Sequence, residues 1–323
     1  MSGNGAPRTI ELSHGIVAVD TDYVRPMLDA SHLIVENGRA AFVDTGTNDS
    51  VPLLLAALAQ ANLDPGDVDF VFLTHVHLDH AGGAGLLLEA LPNAVAVIHP
   101  RGARHMIDPE KLTRGSIAVY GEDNFRRLYG ELKPIPEARV TIASDGDEYS
   151  LAGRTLTALH TEGHARHHYC LHDPASSGVF TGDSFGISLR EFDTDAGEFV
   201  YPTTTPVHFD PPEAHKAIDR ICALGPANLY LTHYSRVTGV ERLGAAMHRR
   251  IDDFVALTEA AASATDRQAS IAAALADYLT RELRDHGVTL PDPALQELIA
   301  MDLRLNAMGL VHWLDQRPAS PAH

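Results

Sequence analysis

Cysteine is nearly missing from this chain: Cys170 and Cys222 are the only two in 323 residues. Two thiols build no disulfide framework, and both read as small buried apolar residues. Positive charge is also scarce. Lys and Arg total 25 against 43 Asp and Glu, a formal net charge of −18, so there is no broad cationic surface to neutralise phosphate backbones, and nucleic acid is not an expected partner. No apolar run approaches the roughly 18 residues needed to cross a bilayer, and the opening MSGNGAPRTI lacks the apolar centre of a signal peptide. The expected location is therefore the cytoplasm, with no membrane partner. No linker rich in glycine and serine appears and no internal repeat, while the length allows about two domains.

Histidine, in contrast, is abundant and clustered. Thr74-His75-Val76-His77-Leu78-Asp79-His80 places three imidazoles and a carboxylate within six positions, directly after the apolar run Phe70-Val71-Phe72-Leu73 and before Gly82-Gly83. Imidazole nitrogen and carboxylate oxygen suit zinc, iron or manganese, and a divalent ion offsets the cost of crowding such groups. On a helix, ligands share a face at i and i+4; His75 and His77 are two apart and Asp79 and His80 adjacent, so the cluster is expected in a turn.

Three more polar residues follow apolar strands at short distance. His164 comes after Leu159 through Thr161-Glu162-Gly163, Asp183 after Phe180 through Thr181-Gly182, and His233 after Leu229-Tyr230-Leu231 and one threonine. In layered α/β structures the turns beyond the carboxyl ends of strands converge on one edge, where ligands bind. Four such turns would assemble seven candidate metal ligands: His75, His77, Asp79, His80, His164, Asp183 and His233. Seven exceed the four of a closed structural zinc site.

Around these turns the N-terminal half reads as short strands, Ile16 to Asp20, Leu33 to Val35 and Ala40 to Val43, punctuated by Asn37-Gly38, then alternating strands and helices through Ile98. Helix is expected around His105 and from Tyr120 to Tyr129, in a segment 100–136 whose place against the sheet the pattern does not give. Strands resume from Val140 to Phe180. The stretch 184–210, polar and broken by proline, is expected as a rim loop. Asp210, Pro211 and Glu213 open a helix with a capping box, and beyond Val240 only amphipathic helices follow. The expected division is a main domain, 1–240, with a helical extension, 241–323, against it.

THVHLDHAGG, EGHARHH, TGDS and LTHYS, in that order, resemble the motifs of the metallo-β-lactamase-fold superfamily of metallo-hydrolases over roughly residues 10–240. That resemblance implies an α/β fold, a four-layer αββα sandwich, with a dinuclear site in which His75, His77 and His164 hold one ion, Asp79, His80 and His233 the other, and Asp183 bridges. The presence of Asp183 makes the chain more similar to the glyoxalase II thioesterases, the acyl-homoserine-lactone lactonases and a group of poorly characterised hydrolases than to antibiotic-cleaving enzymes. The helical tail resembles glyoxalase II, though no glutathione-binding motif matches.

The implied activity is hydrolysis of a carboxylic ester, thioester or lactone by attack of a metal-bridging hydroxide, with zinc expected in both positions and iron or manganese as alternatives. Asp79 is the candidate proton shuttle, Asp44 a candidate partner for a ligand imidazole, and Tyr201, His208 and Tyr234 candidate rim residues against a small-molecule substrate. A homodimer is expected only because such assemblies are common. The persulfide dioxygenases, similar in fold, supply the alternative of one iron held at His75, His164 and Asp183. The histidines at 14, 32, 99, 105, 160, 167, 168, 172 and 215 lack motif context and are expected as surface or packed residues.

Overall fold

The computed structural model describes residues 6–204 and 207–317. They divide into two compact units. The first comprises Met1–His160, His167–Asp183 and Gly225–Val240.

Two sheets form the first unit. One contains β1 (Thr9–Glu11), β2 (Ile16–Asp20), β3 (Ala30–Glu36), β4 (Arg39–Val43), β5 (Val68–Leu73), β6 (Val95–Ile98) and β7 (Val140–Ile142), side by side in chain order. The first four strands run antiparallel, and the β3–β4 reversal uses Asn37 and Gly38, both at positive φ, between paired Glu36 and Arg39. From β4 to β7 the pairing is parallel, which needs crossovers; these carry α1 (Val51–Gln60), α2 (Leu78–Ala81), α3 (Ala84–Ala90), α4 (Pro100–Ile107), α5 (Glu110–Tyr120) and α6 (Glu122–Tyr129). The second sheet has the order β13-β12-β11-β10-β9-β8, with β8 at Glu148–Leu151, β9 at Arg154–His160, β10 at Tyr169–Asp173, β11 at Gly178–Gly182, β12 at Asn228–Leu231 and β13 at Ser235–Val237.

Alternation along the strands divides the apolar residues between two cores. Val71, Leu73, Ala96 and Ile98 join Leu54, Leu58, Leu87 and Leu88 of the crossover helices. Phe72, Val97, Ile34 and Ala41 point the other way and meet Leu156, Tyr169, Leu171, Phe180 and Tyr230 between the sheets.

The second unit comprises Thr161–Arg166, Ser184–Leu224 and Glu241–His323. The tail helices therefore group with two earlier stretches, a division that does not follow a single boundary at 240. Its helices are α7 (Pro211–Ala223), α8 (Val240–Ala260), α9 (Arg267–Asp285) and α10 (Asp292–Gln316). Asp210 accepts the Glu213 N–H at 3.3 Å as the α7 cap, but Glu213 turns its carboxylate to Lys216 at 2.7 Å, so half of the expected capping box forms. Nor is 184–204 a rim loop. Phe199, Val200 and Tyr201 are buried, because polar groups of the tail satisfy them: Arg250 stacks on Phe199 and donates to the Val200 carbonyl at 2.6 Å, and Asn306 bonds Thr204 N–H and the Pro202 carbonyl. Residues 205 and 206, also in the expected rim stretch, lie outside the described residues.

Phe72 is fully buried and sits 5.4 Å, ring to ring, from both Phe70 and Tyr149. Phe72→Ala is expected to lower unfolding free energy by about 3–5 kcal/mol in urea titration. Leu224→Ala, at an exposed site, should change it by no more than about 0.5 kcal/mol.

Candidate metal centre

β5 ends at Leu73, and the backbone then bends. The Thr74 carbonyl takes the Tyr169 N–H at 2.9 Å, tying the turn to the start of β10. His75 and His77 lie in this turn, whereas Asp79 and His80 ride on the single helical turn α2, for which His77 is the N-cap. The expectation of a turn for the whole cluster thus holds for its first half only. The short helix is itself pinned, since the His80 carbonyl accepts both the N–H (2.7 Å) and the hydroxyl (3.0 Å) of Thr45.

Two groups of ligand atoms form in the first unit. His75, His77 and Asp183 each offer an atom, all within 4.8 Å of one another, and so do Asp79, His80 and His233. His75 Nε2 and His77 Nδ1 stand 2.9 Å apart. In the second group, His80 Nε2 and His233 Nε2 lie 3.9 and 3.8 Å from Asp79 Oδ2, and 3.2 and 3.4 Å from Asp183 Oδ1. Asp183 thus belongs to the first group and faces the second. His164 lies in the second unit, buried, with its Nδ1–H donated to the Thr203 carbonyl at 3.1 Å, which leaves the lone pair on Nε2. Gly163 before it has φ +127°, and a Cβ there would come 2.5 Å from the Ala214 backbone, so only glycine lets the α7 start approach.

The orientation of each imidazole is set from behind. Asp44, buried at the end of β4, accepts the Thr74 N–H at 2.9 Å, the Thr74 hydroxyl, the Thr232 hydroxyl at 2.8 Å and His80 Nδ1–H at 2.8 Å. Asp29 does the same for His233, its carboxylate oxygen 2.5 Å from Nδ1. Its backbone is held by Thr21, whose N–H and hydroxyl donate to the Asp29 carbonyl, and by the adjoining Ala30 N–H to Thr232 carbonyl bond of 2.8 Å. His168 Nε2 accepts the Asp183 N–H at 3.2 Å.

Burial by itself lowers the pKa of His80, but Asp183, Asp79 and Asp44 outweigh it and hold the ring well above the usual imidazole value. His233 is likewise opposed by burial and carried by Asp29 and Asp183 up to about 10. Such a field of carboxylates calls for cations. His80 Nε2 is buried and makes no hydrogen bond, and nitrogen and carboxylate donors in two groups fit zinc, iron or manganese.

Beside the centre, Tyr23 and Tyr129 stack at 6.1 Å with hydroxyls 2.7 Å apart, and α6 is thereby placed. Burial first, then the negative charge of Asp79, raises the Tyr23 pKa well above its ordinary value. Tyr201 and Tyr234 do not stand on a rim. Both are fully buried, Tyr201 donating to Asp302 Oδ2 at 2.6 Å and Tyr234 packed with Ala18 and Ala30. His208 is half-buried in the second unit.

Residues 26–233 match the description of the metallo-beta-lactamase superfamily. The chain belongs to this superfamily. It is 31% identical over 145 residues to the metallo-beta-lactamase fold-containing protein ST1585 of Sulfurisphaera tokodaii, covering 43% of this chain and 51% of that protein. It is 32% identical over 115 residues to the acyl-coenzyme A thioesterase MBLAC2 of Gallus gallus (34% of this chain, 39% of that one). With an atrochrysone carboxyl ACP thioesterase of Aspergillus fumigatus it shares 28% over 117 residues (36% and 27%). The chain thus spans about half, or less, of the length of these relatives. The crystal structure of ST1585 from Sulfolobus tokodaii superposes with a TM-score of 0.65 at 21% identity, over 93% of this chain and 99% of the other, a likeness of fold.

Because Asp29 fixes the ring whose Nε2 faces the second group, Asp29→Ala is expected to weaken divalent-metal retention there by about 10- to 100-fold. Metal content after dialysis against graded chelator measures this, with circular dichroism as the check on folding.

Proposed function

We propose that this protein is a metal-dependent hydrolase acting on a small carboxylic ester, thioester or lactone, with a thioester first and zinc as the metal. One observation carries the reading: the Asp183 side chain serves both ligand groups, grouped with His75 and His77 while standing 3.2 and 3.4 Å from the His80 and His233 nitrogens. The family resemblance implies His164 as a further ligand beside His75 and His77. Two relatives named as thioesterases support the choice of bond, acyl-coenzyme A in one and an acyl carrier protein conjugate in the other.

Two divalent ions, when bound, would supply Lewis acidity and bring the pKa of coordinated water from 15.7 towards about 7. The chain supplies the rest. Asp44 and Asp29 hold His80 and His233 in the tautomer that presents Nε2. Asp79, one-fifth exposed, can take up a proton at Oδ2 and hand it to the departing thiolate or alkoxide. Tyr23, hydrogen-bonded to Tyr129, lies near enough to Asp79 to feel its charge and would offer ring surface to an acyl group there.

A single-iron dioxygenase would employ His75, His164 and Asp183 and leave Asp79, His80 and His233, with two carboxylates built behind them, without purpose. Thioesters, lactones, aryl esters and phosphodiesters assayed on zinc-, manganese- and iron-loaded protein decide the matter. Expected is thioester cleavage abolished by chelator and restored by zinc; oxygen uptake on a persulfide with iron alone would overturn the proposal. Asp79→Asn should lower kcat by about 10²–10⁴ with little change in KM, and an unaltered kcat would exclude the shuttle.

A further inference from the structure

The second unit carries a histidine arrangement that shares no residue with the centre above. His215 and Asp219 are four apart on α7, His248 and Asp252 four apart on α8, in the matching strings His-Lys-Ala-Ile-Asp and His-Arg-Arg-Ile-Asp. Each aspartate reaches across to the other helix: His215 Nε2 lies 3.1 Å from Asp252 Oδ1 and His248 Nε2 lies 3.1 Å from Asp219 Oδ1. The rings stack at 4.9 Å, tilted by only 8°, and their Nδ1 atoms are 2.6 Å apart.

A carboxylate accepts and cannot donate, so each Nε2 bears hydrogen and the two Nδ1 atoms are left to face each other. Two lone pairs at 2.6 Å repel unless a cation lies between them. A carboxylate bonded to the far nitrogen of an imidazole is also the arrangement that turns and strengthens a metal-binding histidine. Two neighbouring cations are engaged elsewhere, Lys216 with Glu213 and Arg249 with Glu282.

We propose that His215 and His248 form a second, exchangeable metal site, a two-histidine clip for a borderline divalent ion: Cu²⁺ most tightly, then Ni²⁺ and Zn²⁺. Without metal, the three contacts in the chain Asp252, His215, His248, Asp219 require three N–H hydrogens on four ring nitrogens, one imidazole and one imidazolium. On binding, two nitrogen–metal bonds form at Nδ1, the shared N–H bond breaks, and its proton leaves to solvent, so the net charge rises by one. The rings are 27% and 32% exposed, free to part to the roughly 2.0–2.1 Å bonds a metal needs, and water completes the coordination.

The test uses the full chain, loaded with zinc and then equilibrated with a low, buffered concentration of free Cu²⁺ or Zn²⁺, with metal per chain measured by mass spectrometry. Wild type is expected to hold one equivalent more than His215→Ala or His248→Ala, with thioester hydrolysis equal in all three. A His75→Ala/His77→Ala variant should keep the extra equivalent, so failure of the hydrolase reading and failure of the clip are told apart. In ¹⁵N spectra of the wild type, the Nδ1 resonances of His215 and His248 should shift on adding Zn²⁺ at constant pH. Equal metal content in wild type and His215→Ala, or Nδ1 shifts that respond to pH and not to Zn²⁺, as a shared proton alone would give, overturns the proposal.

Discussion

The carboxylate of Asp44 is the constraint on which the centre depends. It accepts hydrogen bonds from the first residue after β5, from the imidazole of α2 and from the threonine after β12, so one buried group aligns strand ends from both sheets. Removing it would leave at least three buried donors without their acceptor, at about 1–3 kcal/mol for each group left unpaired. The φ of +58° at Asp44 lets the chain turn sharply enough to aim its side chain back at the strand ends; aspartate is among the few residues that tolerate this region.

From that anchor the electrostatics follow. Asp29, Asp44, Asp79 and Asp183 approach the same two imidazoles, and the protein is stable to this concentration of negative charge only if positive charge is present. Protons on His80 and His233 can serve, which is what their elevated pKa values express; divalent ions serve with more charge in the same volume. Fold and chemistry are thereby coupled. The two sheets bring the strand ends together through apolar packing, and the ions would offset the repulsion this creates.

The parts that could be read from the sequence were those with local signals. The ligand-bearing turns each followed an apolar strand, the Asn37-Gly38 reversal has a stereochemical cause, and α7 announced itself through Asp210 and Pro211. Asp29 gave no such signal. Its role arises from the Ala30 to Thr232 bond, a pairing of residues two hundred positions apart that no spacing encodes. His168 stands four residues after His164 and belongs to no motif, yet it is fully buried and receives the Asp183 N–H. α5 has no fully buried residue, so its periodicity is weak. Tyr201 and its neighbours read as a loop in sequence because their polar partners, Arg250, Asp302 and Asn306, are supplied by helices far along the chain.

The central claim is that one carboxylate is shared by two cations. Anomalous diffraction from crystals of the zinc-loaded protein, collected on both sides of the zinc absorption edge, tests it most directly. The account predicts two peaks roughly 3.5–4 Å apart, with Asp183 touching both and His80 and His233 on the second. A single peak confined to the His75 and His77 side, with His80 and His233 bound to nothing but their aspartates, would contradict it.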